Sequence, residues 1–544
     1  MAASRTSTQH RSRGALGRTA AALLATVLLA ACSETPLEEG GGGRAGDGDG
    51  SLTVGLGQNP DTLDPSATGL IGASQVNQQI FDTLIWRFPD DDQWYPGLAE
   101  DMTISEDGTV YTFTLRDDVV FHDGTPFNAE AVKATFDHIV DPATQSKSAI
   151  GALGPYQETR VVDEQTVEIV FSEPNLAFQN YVSEAIFGLS SPTALQKYGA
   201  DYGSNPVGTG PFVFESFQSG ESVELTRNED YAWGPEPLGE GPADVSELTF
   251  RILTDPSAQA NSLSTGEIDV AQNLTPQDAA SASESGKTIR SAPARGIPYG
   301  FLLNVDKAPT NDLAVRQALI LGFDRQSVLD TLFEGQYDVA SSVLTPTSVG
   351  YDEDQGMYEY DPERAAQLLD EAGWVKGSDG MRSKDGQPLE VETINISGFG
   401  FSGIAQLFQA QMKDLGVAVN ISDQAFPAVA TTYNQGLANT ADWFFYAVDP
   451  FSLKTVFGCD QIESGFNWAH YCNAELDAAV IEANGIVDDE QRDEAYAEIA
   501  RTLMEDATFM PIRDLKTIMV TDDSVGELAF TVSGQPLFAS TGGE

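Results

Sequence analysis

The sequence predicts an α/β protein with enough core for more than one domain. Three observations carry that reading. Segments alternating apolar and polar residues crowd the first half of the chain. Helices with clear start and stop signals alternate with strands from about 296 to 512. Of the 544 residues, 41% are hydrophobic and 9% aromatic, which excludes a wholly disordered or fibrous chain. In chain order, residues 51–57 (SLTVGLG) read as a short strand entering a glycine turn, and residues 111–115, 166–171 and 222–226 alternate as half-buried strands do. Residues 361–373 (DPERAAQLLDEAG) place Asp361 as helix N-cap, Pro362 at the first helical position and Gly373 as terminator. Ala365, Leu368, Leu369 and Ala372 share one face, so this helix docks on a core. Residues 312–334 and two stretches within 474–506 have similar apolar spacing, and strands are expected at 388–396, 416–421 and 442–448. No internal repeat and no linker interrupts 51–540, which argues for interwoven lobes.

Residues 1–18 carry Arg5, Arg11, Arg13 and Arg18 and no acid, and the apolar run 20–31 then ends at Cys32. That run falls short of the about 20 residues a spanning helix needs, but it suits the core of a secretory signal. Leu29-Ala30-Ala31-Cys32 resembles the bacterial lipobox, which implies a lipoprotein signal peptide over 1–31 and a diacylglycerol on Cys32. An ordinary signal peptide with an incidental cysteine is the plainer alternative. Residues 33–50 are glycine-rich and acidic and read as a flexible tether of roughly 23 Å root-mean-square span.

The formal charge is −53, from 29 Lys+Arg against 82 Asp+Glu. Such a polyanion is repelled by nucleic acid. Its acidity fits solubility in salt, or a cationic ligand. With Cys32 acylated, Cys459 and Cys472 remain, in a compartment that permits disulfides. A bridge between them would close a loop of about 14 residues and contribute roughly 3 kcal/mol; two free thiols are the alternative. A zinc site is disfavoured because only His470 lies near the pair.

Several segments together resemble the family 5 extracellular solute-binding proteins, the receptors of peptide-, dipeptide- and nickel-type ABC importers. They are residues 96–138 (PGLAEDMTISEDGTVYTFTLRDDVVFHDGTPFNAEAVKATFDH), 62–65 (TLDP), 205–212 (NPVGTGPF), Arg227-Asn228 with Tyr231, 264–270 (STGEIDV), 312–319 (DLAVRQAL) with 323–325 (FDR), and 471–477 (YCNAELD). Within them, Phe121-His122-Asp123-Gly124 reads as a tight turn in preference to a metal or acid–base site. Gly208-Thr209-Gly210 is not a phosphate loop, because no Lys-Ser/Thr follows and no helix opens there.

The resemblance implies a two-lobed periplasmic-binding-protein-like clamp (type II, large cluster). Residues 51–294 would form lobe I, with an extra subdomain at about 73–204. Residues 295–515 would form lobe II, and 516–544 would return to lobe I and end in a tail. It also implies a non-catalytic, monomeric receptor, with no cofactor or metal, that passes a solute to ABC permease subunits on the outer side of the cell membrane. In an organism with an outer membrane it would be periplasmic.

Aromatic residues expected to line the cleft are Tyr299, Phe399, Phe401, Trp443, Tyr446 and Trp468, with the alternative that most pack in the lobe II core. In peptide-binding members an acidic residue in the segment matching 441–450 holds the ligand's ammonium group. Anchored on Asp449-Pro450, the match puts Tyr446 there, with Asp442 or Asp449 as substitutes in another register. Residues 387–453 contain no Arg and one Lys, Lys413. Dipeptide-binding members use an arginine of lobe II for the ligand's carboxylate, so the resemblance implies that a short zwitterionic peptide would lack that partner here. An oligopeptide is the expected solute, with an oligosaccharide, an amine or a metal complex as alternatives. A nickel site is weak, since His122, His138 and His470 are the only histidines after the signal segment. A secreted hydrolase is disfavoured because neither Gly-x-Ser-x-Gly nor His-Glu-x-x-His occurs. A surface adhesin that has lost its importer is the third class.

Overall fold

A computed structural model describes residues 50–89, 93–239, 241–352, 357–397, 400–463 and 465–541. Cys32, the signal segment, residues 33–49 of the tether and Phe399 lie outside the described residues. Among the described residues no helix is long and apolar enough to cross a membrane.

Two mixed sheets dominate. One has seven strands, in the order Thr288–Pro293, Lys516–Thr521, Val270–Ala271, Gly50–Leu56, Val245–Ile252, Ser222–Arg227 and Phe212–Gln218. Its centre is the parallel pair Gly50–Leu56 and Val245–Ile252, whose Val54, Leu56, Leu248 and Phe250 are fully buried. The other has five strands, in the order Ala418–Gln424, Glu390–Ile396, Thr440–Tyr446, Gly296–Leu303 and Phe509–Arg513. The chain passes from the first sheet to the second between Pro293 and Gly296 and returns between Arg513 and Lys516. These sheets are the cores of lobes I and II.

A separate four-stranded antiparallel sheet, Ala99–Ile104, Val110–Leu115, Thr166–Phe171 and Tyr156–Val161, has its own aromatic core of Tyr111, Phe113, Phe136, Phe171, Phe178 and Phe187. Alternation along Val110–Leu115 decides this: Tyr111, Phe113 and Leu115 point inward and are buried, while Thr114 is exposed.

The sequence elements form where their local chemistry places them. Asp361 accepts from the Arg364 amide at 2.8 Å and starts the helix Pro362–Glu371, which buries Ala365 and Leu369. Leu368 and Ala372 are only partly buried against the same core. The stretch 312–334 is two helices, Leu313–Leu321 and Arg325–Phe333. Asp324 caps the second by accepting from the Ser327 amide, so the interruption at Gly322-Phe323-Asp324 is a stop and restart of one apolar pattern.

The family-like motif residues hold backbone and loops. Asp82 is buried and accepts from Thr209, Tyr231 and Trp233, each at 2.9 Å, which ties the 205–212 loop to the 228–233 turn. Burial raises its pKa against those three bonds. His122 contacts the Gly210 carbonyl at 2.9 Å, and burial depresses its imidazole to about 4. Gly124 sits at φ +80° and Asp123 accepts from the Thr125 amide, as the turn reading requires. Arg316 donates to the carbonyls of Thr310, Asp506 and Ala507, and Arg325 to those of Ala340, Pro511 and Tyr358.

Candidate functional site

Three lobe II strands, Glu390–Ile396, Ala418–Gln424 and Thr440–Tyr446, are parallel, and their carboxyl ends lie on one edge of the sheet. Gly296 pairs with Tyr446 and Tyr299 with Arg513, so both chain crossings leave from that same edge. Open α/β sheets bind ligands at the carboxyl ends of their parallel strands. Only glycine fits at Gly296: φ is +141°, and a Cβ there would lie 2.0 Å from the Phe445 carbonyl oxygen. Away from the crossings, Gln336 donates to the Pro276 carbonyl at 2.8 Å, joining lobe II to lobe I.

Strand alternation splits the aromatic run 443–446 between two faces. Trp443 and Phe445 turn to one side, where Trp443 lies 4.7 Å from Trp468 and 5.2 Å from Phe466, ring centre to ring centre. Phe444 and Tyr446 turn to the other, with Phe444 5.8 Å from Tyr446 and 5.7 Å from Phe401. Phe401 in turn lies 4.2 Å from Tyr299. Tyr446 is 39% exposed and Phe401 and Phe444 are half-buried, so this second face is partly open, as the first is at half-buried Phe445.

Other expected contacts are withdrawn from that surface. Trp468 and Tyr299 are fully buried and Trp443 nearly so, because all three pack in the lobe II core. Asp449 is also no open anchor. Arg492 Nη2 donates to both its oxygens, at 2.9 and 2.8 Å, and Asn180 of lobe I donates at 2.6 Å. The Phe451 amide supplies a further bond, and Arg87 donates to Asn180 at 2.7 Å. Burial works against the Arg492 charge, but the Asp449 carboxylate outweighs it and raises the guanidinium pKa. The result is a buried strut between the lobes, reinforced where Leu176 and Ala177 donate to the Asn484 backbone and side-chain oxygens.

Asp442 is buried, accepts from the Ile396 amide at 2.8 Å, and its second oxygen has no hydrogen-bond partner among the described residues. Burial pushes it up to about 7 against that bond. Cys459 and Cys472 form a disulfide with Cα atoms 4.7 Å apart. It closes the loop that carries Phe466 and Trp468 into the core. Among the described residues no three His, Cys, Asp or Glu side chains gather as a metal site.

One residue at this edge escapes a sequence reading confined to 387–453. Arg513 ends the strand that returns to lobe I, pairs with Tyr299, and is 7% exposed. Its guanidinium lies 4.0 Å from the Tyr337 ring centre, 5.3 Å from Phe333, 5.5 Å from Phe401 and 5.8 Å from Tyr299. Crowding raises the Tyr446 hydroxyl pKa, and the Arg513 charge pulls it back. Lobe II therefore holds a nearly buried cation beside these rings, outside the segment 387–453. The signal was present in the sequence: Arg513 lies at the predicted crossover.

The fold is thus two lobes, each built on a mixed sheet and joined by two chain crossings at one sheet edge. The family model "Bacterial extracellular solute-binding proteins, family 5 Middle" matches residues 93–464. The chain is 27% identical to the nickel-binding periplasmic protein of Escherichia coli (strain K12), over 84% of this chain and 87% of that one. It is 29% identical to the glutathione-binding protein GsiB of Salmonella typhimurium, over 85% and 88%. The crystal structure of NikA from Brucella suis in complex with Fe(III)-EDTA matches with a TM-score of 0.79 and 25% identity, covering 90% of this chain and 99% of NikA. The protein belongs to the family 5 extracellular solute-binding proteins. It is a solute-binding receptor of an ABC importer, extracytoplasmic, and not an enzyme.

Proposed function

We propose that the protein is a monomeric, lipid-anchored receptor that captures oligopeptides between its lobes and delivers them to the permease. The observation that carries this reading is Tyr446. The position that the family resemblance aligns with an ammonium anchor holds a 39% exposed aromatic ring flanked by half-buried Phe401 and Phe444. Such an edge holds a solute by packing and main-chain hydrogen bonds, which favours an extended peptide over a dipeptide fixed by its ammonium group. A carboxylate-bearing chelate or small thiol peptide is the second reading, favoured by relatives named for glutathione and crystallised with Fe(III)-EDTA. The anchor would be Cys32.

A thermal-shift series of di-, tri-, tetra- and hexapeptides beside oligosaccharides, amines, glutathione and nickel tests the substrate. A peptide at 100 times its Kd adds about 2.7 kcal/mol, roughly 1–2 °C for a chain of this size. Shifts with tetra- and hexapeptides but not dipeptides support the reading. Shifts with sugars or amines alone overturn it. Cys32→Ser should move the protein from the membrane to the soluble fraction, and unchanged membrane retention would sink the anchor.

A further inference from the structure

We infer that residues 176–184 of lobe I are a third, non-covalent strand of the hinge, whose bonds to lobe II stay made while the cleft opens and fix the axis about which the lobes turn. The two covalent crossings lie together, because the Ala294 amide donates to the Leu515 carbonyl at 3.1 Å. Two strands joined at one place bend and twist in more than one direction. A clamp that closes the same way each time needs a second fixed point along its hinge edge. The segment supplies one. Its Leu176 and Ala177 amides donate to the backbone and side-chain oxygens of Asn484, each at 2.9 Å, and Asn180 donates to Asp449 at 2.6 Å. At its far end Glu184 accepts from Ser533 at 2.5 Å.

The partners of this segment lie beside the first crossing. The Arg295 carbonyl accepts from the Ala447 amide, two residues before Asp449. The Arg295 amide donates to the Val532 carbonyl, one residue before Ser533. Displacement in a hinge motion grows with distance from the axis, so contacts this close to a crossing move least. They are also costly to break. Leu176, Ala177, Asn180, Asp449 and Arg492 are each at most 2% exposed, and Asp449 with Arg492 is a buried ion pair. The second crossing has a lighter counterpart. There the Asp514 amide donates to the Asp338 carbonyl, and Gln336, two residues earlier, makes one part-buried bond to Pro276 of lobe I. A single neutral bond is weaker than a charged network, so that contact yields where the strut holds.

The test uses the purified full-length protein without solute. Amide hydrogen exchange should show Ala177 protected to within about 10-fold of the lobe II core strand Thr440–Tyr446. Exchange about 100-fold faster than that strand would mean that the contact parts with the lobes, and would overturn the inference. A covalent lock asks the same question a second way. A Cβ on Gly485 would lie 3.2 Å from the Pro174 Cβ, close to the about 3.5–4.5 Å of a disulfide, so Pro174→Cys with Gly485→Cys can be bridged across the contact. X-ray scattering of its oxidised and reduced forms, with the single variants as controls, should give the same radius of gyration. A smaller radius in the oxidised form would reveal a contact that opens, and would overturn the inference. Asn180→Ala with Asn484→Ala removes the side-chain bonds and should raise the radius above wild type while the melt stays cooperative. An unchanged radius in that folded variant would overturn the axis role. The exchange and lock results decide the matter even where that variant fails to fold.

Discussion

Arg492 and Arg513 are both buried cations of lobe II, 1% and 7% exposed, and they differ in what the fold gives them. Arg492 sits in the helix Asp489–Glu505 with Asp449 fixed against it, and Asn180 of lobe I completes the arrangement. Arg513 sits at the end of a strand with four aromatic rings around it and no hydrogen-bond acceptor among the described residues. A buried charge with its counterion built in is a strut. A buried charge held only by aromatic faces is no strut, and removing it strands no counterion.

The largest effect should therefore come from breaking the strut. Arg492→Met leaves Asp449 buried without its cation and should cost about 3–5 kcal/mol in urea unfolding. Arg513→Gln strands no partner and should stay within about 1 kcal/mol of wild type. Equal losses in the two variants would erase the distinction between them.

Next in size is the Cys459–Cys472 disulfide. Cys459→Ser with Cys472→Ser should lower stability by roughly 3 kcal/mol, read as a lower urea midpoint. A midpoint unchanged in the double variant would mean that the loop's aromatic packing alone holds Trp468 in place.

A smaller effect is the response to pH. Asp442, Asp514 and Glu184 are each raised by burial to about 7. The folded state keeps protons there that the unfolded state has already released, so stability falls as pH rises between about 4 and 7. His122, depressed by burial to about 4, works the other way below about 6.5. The melting temperature should therefore be higher at pH 6 than at pH 8, and Asp442→Asn should flatten part of that slope. A melting temperature that rises from pH 6 to pH 8 would contradict the assignment.

The smallest change in stability should come from Tyr446→Asp, within about 0.5 kcal/mol because the position is exposed. It removes the exposed ring that carries the receptor reading and should weaken peptide binding in calorimetry. Undiminished peptide binding would take Tyr446 out of the site.

Elements set by neighbouring residues were legible from the sequence. Asp361 and Pro362 start a helix, alternation makes the strand at 166–171, and Gly124 makes a turn, each through contacts a few residues apart. The motif residues were legible as a family signature, and the structure shows why they mark a fold more than a site: Thr209 and Tyr231 bond the buried Asp82, and Arg316 and Arg325 bond backbone carbonyls. The site was legible only in part. The sequence could not say which of residues 443–446 face the cleft, because alternation fixes opposite faces without naming the inner one. Pairing of Tyr299 with Arg513, and of Asp449 with Arg492 and Asn180, joins segments far apart in the chain. Local pattern carries no trace of the second, and only the crossings expected near 295 and 515 hint at the first.

The most direct test is a crystal structure of the protein with the peptide that stabilises it most. The expected result is that peptide enclosed between the lobes, in contact with Tyr446. A peptide bound elsewhere on the surface, or no peptide bound at all, would contradict the account.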